Sequence, residues 1–120
     1  MNIELRTRGF SLTPALKAFA ERRLEFALDR ASDRVARVRV TLSDVNGPRG
    51  GEDKRCRIEV RLRGGGSVRA CATEADAYAA VGDAAHRAAR SLSRAIARER
   101  ATTLELLWLA RALSRAPSAV

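Results

Sequence analysis

The stretch TEADAYAAVGDAAHRAARSLSRAIARER, residues 73–100, decides the fold. It contains no proline and is dominated by alanine, the best helix former. Thr73 and Asp76 near its start have short polar side chains that can cap a helix. At 100° per residue, Val81, Ala84, Ala85, Ala88, Leu92 and Ala95 share one side, so the segment reads as an amphipathic helix with a thin apolar face. Arg87, Arg90, Arg94 and Arg98 are spaced three, four and four apart. That spacing holds all four guanidinium groups within about 80° of arc, beside the buried face, where a phosphate chain can lie along them. Asp83 is one turn before Arg87 and can pair with it. The other three have no acid at a pairing position on that face, since Glu99 points elsewhere. Like charges four apart repel by a few tenths of a kcal/mol. On this helix alone, a solvated charged face explains the row as well as an anionic partner does.

Composition favours the partner. The chain has 120 residues, enough for one domain with a modest core. It carries 23 Lys and Arg against 14 acids, a net charge of +9, and a pI near 11.3. Such an excess points to nucleic acid or an anionic membrane surface. Aromatic residues make up only 4%, which argues against a surface that stacks unpaired bases and leaves shape and charge as the means of recognition. The N-terminal stretch alternates charged and apolar residues, and no window reaches the roughly 18 apolar residues that span a bilayer. A cytoplasmic protein is expected. Cys56 and Cys71 then stay reduced and fill strand positions, although strands paired side by side could bring them together.

From the N-terminus, Ile3 and Leu5 alternate with Asn2, Glu4 and Arg6 and predict a strand. Thr13 and Pro14 announce a helix, as cap and first helical residue. Its apolar face is Leu16, Phe19, Ala20, Leu24 and Ala27. Glu21, Glu25 and Asp29 form an acidic stripe, Arg23 and Arg30 lie together near the apolar boundary, and Lys17 is placed to pair with Glu21. From Val35 to Val45 the period returns to two, with Val38, Val40 and Leu42 on one face and Arg37, Arg39 and Thr41 on the other. Residues 44–53 are turn formers and charges and predict a mobile connection. Their glycines lack the Gly-Lys-Ser/Thr ending of a phosphate loop. Cys56, Ile58, Val60 and Leu62 predict a further strand, and Gly64, Gly65 and Gly66 turn the chain into another at Val68, Ala70 and Ala72.

The expected class is therefore α+β with order β-α-β-β-β-α: an antiparallel meander within a four-stranded sheet, and two helices on one face. The free face would carry Arg37, Arg39, Arg55, Arg57, Arg61 and Arg63 with Glu4 and Glu59, a second basic surface that ordinary cross-strand ion pairs also explain.

The opening MNIELRTRGFSLTPALKAFAERRL, above all Thr13, Pro14, Ala15 and Leu16 with Glu21, Arg23 and Leu24, and the later EADAYAAV of residues 74–81 with Arg87, Arg90 and Leu92, resemble the ribosome hibernation-promoting factor family, also called ribosome-associated inhibitors. The likeness runs from residue 1 to about 98. It implies a fold related to double-stranded RNA-binding domains and a protein that binds small-subunit ribosomal RNA in the decoding channel, silencing idle ribosomes. By position it implies RNA contacts for Lys17, Arg23, Arg87, Arg90 and Arg94; the stripe geometry adds Arg30 and Arg98. Tyr78 also matches the family motif, as an RNA contact or a packing anchor. Gly82 departs from the family's usual polar residue, and a helical glycine costs about 1 kcal/mol relative to alanine.

The expected organisation is a family-like domain over residues 1–100 and an amphipathic helical tail over 101–120. In the tail Thr103 is the expected cap of LELLWLARAL, whose leucines and Trp108 exceed what a free tail should expose. They can fold back on the preceding helix, or self-associate with a second copy through residues 103–115. A membrane helix is disfavoured because only Arg111 and Arg115 supply positive charge. His86 is a lone histidine, and no carboxylate pair, nucleophile constellation or metal spacing occurs, so neither an enzyme nor a cofactor or metal site is expected. Besides ribosome silencing, two other readings fit: a general double-stranded nucleic-acid binder, or an interaction module working through the C-terminal helix.

Overall fold

Alternation along the strands and the four-residue apolar repeat of the first helix both carry through to the computed structural model, which describes residues 1–45 and 53–115. The elements are β1 (Asn2–Arg8), α1 (Pro14–Leu28), a 3-10 turn (Asp29–Arg34), β2 (Val35–Asp44), β3 (Lys54–Leu62), β4 (Ser67–Glu74) and α2 (Ala77–Arg115). The connection expected over residues 44–53 lies largely outside the described residues. Strand order in the sheet is β1-β2-β3-β4. β1 runs parallel to β2, which requires a crossover, and α1 supplies it. β2, β3 and β4 form the antiparallel meander. In the β3–β4 turn Gly64, Gly65 and Gly66 all have positive φ, a conformation that side-chain-bearing residues rarely adopt.

The Thr13 hydroxyl accepts a hydrogen bond from the Leu16 N–H at 3.1 Å, and Pro14 starts α1. Leu16, Ala20, Leu24 and Leu28 are buried at every fourth position, with Phe19 and Ala27 partly buried beside them. They meet Val38, Val40 and Leu42 of β2, Ile58 and Val60 of β3, and Val81, Ala84, Ala85, Ala88 and Leu92 of α2 in one core. Small side chains on α2 let its axis lie close to the sheet. Among the described residues no polar or charged side chain is buried.

Two expectations about α2 need correction. The helix begins at Ala77 rather than at Thr73, because Thr73 and Glu74 pair with Arg55 and Lys54 as the end of β4. Asp76 precedes it, its carbonyl accepting the first helical bond from the Ala80 N–H at 3.0 Å. At the other end no second helix is capped by Thr103. The Thr103 hydroxyl donates instead to the Glu99 carbonyl at 2.9 Å, a bond made inside a continuous helix. With neither glycine nor proline between residues 95 and 115, nothing interrupts the backbone ladder. Residues 101–114 are exposed throughout and do not fold back; Leu104, Leu106, Leu107, Trp108, Leu109 and Leu113 are 59–77% exposed. The projecting helix gives the molecule a long axis of 77 Å against 26 and 17 Å across.

Gly82 lies within α2 with ordinary φ, and a Cβ there would meet only the Arg23 Nε, at 4.0 Å. Gly82→Ala should therefore raise stability by about 1 kcal/mol, read as a higher midpoint of thermal unfolding. The cysteines sit in adjacent strands but on opposite faces, since Cys56 is level with Ala72 and Arg57 with Cys71. No disulfide links them; Cys56 is buried and Cys71 exposed. Burial, with a smaller contribution from Cys71, pushes the Cys56 thiol from 9.0 up to about 12. Its stabilising contribution is fully present below pH 9 and is lost as pH rises toward 12. An alkylating reagent at neutral pH should modify one thiol of the native protein, Cys71, and both after denaturation, counted by mass spectrometry.

Candidate nucleic-acid interface

α1 and α2 pack side by side on the sheet, and their outer surfaces form an open groove. Arg22, Arg23 and Arg30 of the α1 side and Arg90 and Arg94 of α2 line it, with Glu25, Asp29, His86 and Phe26 among the other lining residues. The helical repeat explains the grouping. Arg90 and Arg94, four apart, occupy one side of α2, while Arg23 of α1 and Arg30 of the 3-10 turn that follows it line the other wall. Helix packing then sets the two pairs facing a common space. None of these five arginines takes part in an ion pair with a described residue. Five positive charges against two carboxylates leave the groove with a net positive charge, the electrostatic condition for attracting a polyanion.

The other expected site residues separate into three kinds. Arg87 is engaged internally: it donates to the Cys71 carbonyl at 3.0 Å and pairs with Asp83 at 3.4 Å, so its guanidinium braces α2 against β4 instead of facing the groove. Arg98 is exposed on α2 beyond the groove, and Lys17 is exposed on α1 away from it. Lys17 makes no ion pair with Glu21 in the described structure. Tyr78 packs edge-to-face on Phe19, ring centres 5.0 Å apart, which is the packing role; it is still 38% exposed. Glu99 does point away from the arginine row. Its two carboxylate oxygens lie 2.8 and 2.6 Å from one Arg34 nitrogen, pinning α2 to the turn after α1 where the helix leaves the body.

The free face of the sheet is also basic, and part of its charge is met internally. Arg6 and Arg39 flank Glu4 at 3.0 and 3.7 Å, and Arg61 and Arg69 flank Glu59 at 3.7 and 3.3 Å. These pairs, two within a strand and two between strands and each worth little in solvent, engage four of its arginines, while Arg8, Arg37, Arg55 and Arg57 form no ion pair with a described residue. Arg63 donates to the Val35 carbonyl at 3.5 Å. None of the five groove arginines has such a partner, and they come from two packed helical elements, as the expected RNA contacts Arg23, Arg30, Arg90 and Arg94 require, so the groove is the candidate interface. Sequence reasoning missed Arg22 and Phe26. Their place on the groove depends on the approach of α2, which spacing within α1 does not report.

A four-stranded sheet backed by two helices, with a groove between the helices whose arginines have no ion partner among the described residues, defines a small α+β protein with a basic candidate interface. The chain matches the family described as sigma 54 modulation protein / S30EA ribosomal protein over residues 3–100, and it belongs to that family. Among solved structures it is similar to the N-terminal domain of Thermus thermophilus Protein Y, at 34% identity and a TM-score of 0.65, over 78% of this chain and 98% of that one. It shares its fold with a ribosomal subunit interface protein from Coxiella burnetii, at 23% identity and a TM-score of 0.69, over 81% of this chain and 99% of that one. No curated protein matches it significantly. The family match ends at residue 100, where the projecting part of α2 begins.

Proposed function

We propose that the protein binds the small ribosomal subunit by gripping ribosomal RNA phosphates in the groove between α1 and α2, occupying the decoding channel and silencing idle ribosomes. The observation that carries this reading is the convergence of Arg22, Arg23, Arg30, Arg90 and Arg94 without internal ion partners. Family membership and the likeness to a ribosomal subunit interface protein support it. It is a binding role rather than catalysis, exercised in the cytoplasm; no described helix is long and apolar enough to cross a membrane. Lys17 of α1 and Arg98 of α2, both exposed outside the groove, would extend the contact. Co-sedimentation with ribosomes from stationary-phase cells tests the proposal: the protein should travel with the small subunit and bind it more tightly than an unrelated RNA duplex at physiological salt. Equal affinity for both would favour the general duplex binder.

Six exposed large apolar side chains on residues 104–113 favour a second, compatible role for the extension, self-association of two copies through residues 103–115. Truncation after Arg100 separates the roles. Ribosome binding should persist, while any concentration-dependent dimer seen by analytical ultracentrifugation should disappear.

A further inference from the structure

We infer that Phe26 is a nucleobase-stacking platform at the edge of the arginine groove, so that the preferred RNA offers an unpaired base next to the phosphates the arginines hold. The inference rests on the groove being an RNA site. Phe26 lies on α1 among residues that otherwise face solvent, and it is 78% exposed, as open as any large apolar side chain described. A single exposed aromatic ring is ordinary. This one has a particular setting. It lines the arginine groove and also the adjoining shallow hollow formed with Ala15, Ala18, Phe19 and Tyr78, and Arg22 and Arg23 line both. The Arg23 guanidinium lies 5.8 Å from the ring centre, a cation–π contact that orients the ring while leaving most of it uncovered.

A nucleotide needs two things from a protein surface: cations for its phosphate and a flat apolar or guanidinium plane for its base. Here both occur within one continuous surface. A base paired within a duplex keeps its faces covered by its neighbours and cannot use the ring, whereas a bulged or single-stranded base can. The sparse aromatic content of the chain is no obstacle, because one platform suffices to read one unpaired base.

The test uses the full-length protein with Trp108→Phe, which leaves no tryptophan, and adds Phe26→Trp as a reporter. Two RNA hairpins of equal length and charge are compared, one with a single-base bulge and one fully paired. Stacking predicts quenching of the reporter by the bulged RNA and little by the paired one. In the wild-type background Phe26→Ala should weaken bulged-RNA binding about tenfold or more and leave paired-RNA binding unchanged, with Phe26→Leu behaving like alanine and Phe26→Tyr like phenylalanine. Equal loss for both RNAs, full function with leucine, or an unquenched reporter would each overturn the inference, and function with leucine would point to an apolar protein partner. Arg90→Glu with Arg94→Glu serves as the control on the parent reading. If that variant binds RNA normally, the groove assignment fails; if it loses both RNAs while Phe26→Ala changes neither, only the stacking role fails.

Discussion

Replacing Arg90 and Arg94 together by glutamate is expected to abolish co-sedimentation with ribosomes at physiological salt. Both side chains line the groove, and neither has an ion partner within the described structure, so the change removes two cations without breaking an internal ion pair. Each charge-assisted hydrogen bond contributes roughly 1.5 to 3 kcal/mol, so removing two lowers affinity on the order of 100-fold or more before the added repulsion is counted. The salt dependence should become shallower too. The slope of log affinity against log salt falls by about 0.7 to 0.9 for every phosphate that is no longer neutralised. Both substitutions are on an exposed helix surface, so the thermal midpoint should hardly move. Unchanged sedimentation by a folded double variant would remove the groove from consideration. Arg87→Glu is a useful contrast, since that residue already pairs with Asp83 and bonds to β4. It should cost stability more than ribosome affinity.

The second large effect is on the core. Leu24 is fully buried, with the sheet on one side and α2 near the other. Leu24→Ala strips away its packing and leaves a cavity, costing about 2 to 5 kcal/mol. Against a total of roughly 5 to 15 kcal/mol for a domain, that is a large share. Chemical denaturation should show the midpoint fall with little change in slope. Leu113→Ala, at a position 77% exposed on the projecting helix, should leave the midpoint within about 0.5 kcal/mol of wild type at dilutions where the protein is monomeric. A similar drop at both positions under those dilute conditions would mean that the extension packs within the monomer, and a drop that appears only as concentration rises would accord with self-association.

The strands were legible because their two-residue period is local. Val38, Val40, Leu42, Ile58 and Val60 all face inward as the alternation predicts. The first helix was equally legible, since Thr13 and Pro14 mark its start and apolar residues, Leu16, Ala20, Leu24 and Leu28, recur at every fourth position along it. Less legible was whatever depends on distant contacts or on competition between signals. Thr103 has the composition of a cap, yet its hydroxyl bonds back to Glu99 within an unbroken helix, because no residue between there and the body stops the backbone ladder. The arginine row of α2 was visible, but its division was not: Arg87 turns to β4 while Arg90 and Arg94 turn to the groove with α1. A helical wheel places these side chains within one arc and cannot say which neighbouring element lies under each edge. Likewise, Arg23 and Arg30 were named from the sequence, but the places of Arg22 and Phe26 on the groove emerge only when α1 and α2 lie side by side.

The overhang of α2 also bears on how that segment holds its shape. A lone peptide of such length is marginally helical in water, because starting the first turn is the unfavourable step. Here the start has already been made on the sheet side, where Val81, Ala84, Ala88 and Leu92 are buried, and Arg34 anchors Glu99 just before the departure point. Residues beyond it need only add turns to an existing coil. Amide exchange should accordingly quicken in a smooth gradient from Glu99 outward, and Glu99→Gln should steepen it by loosening the seed from which the free turns grow.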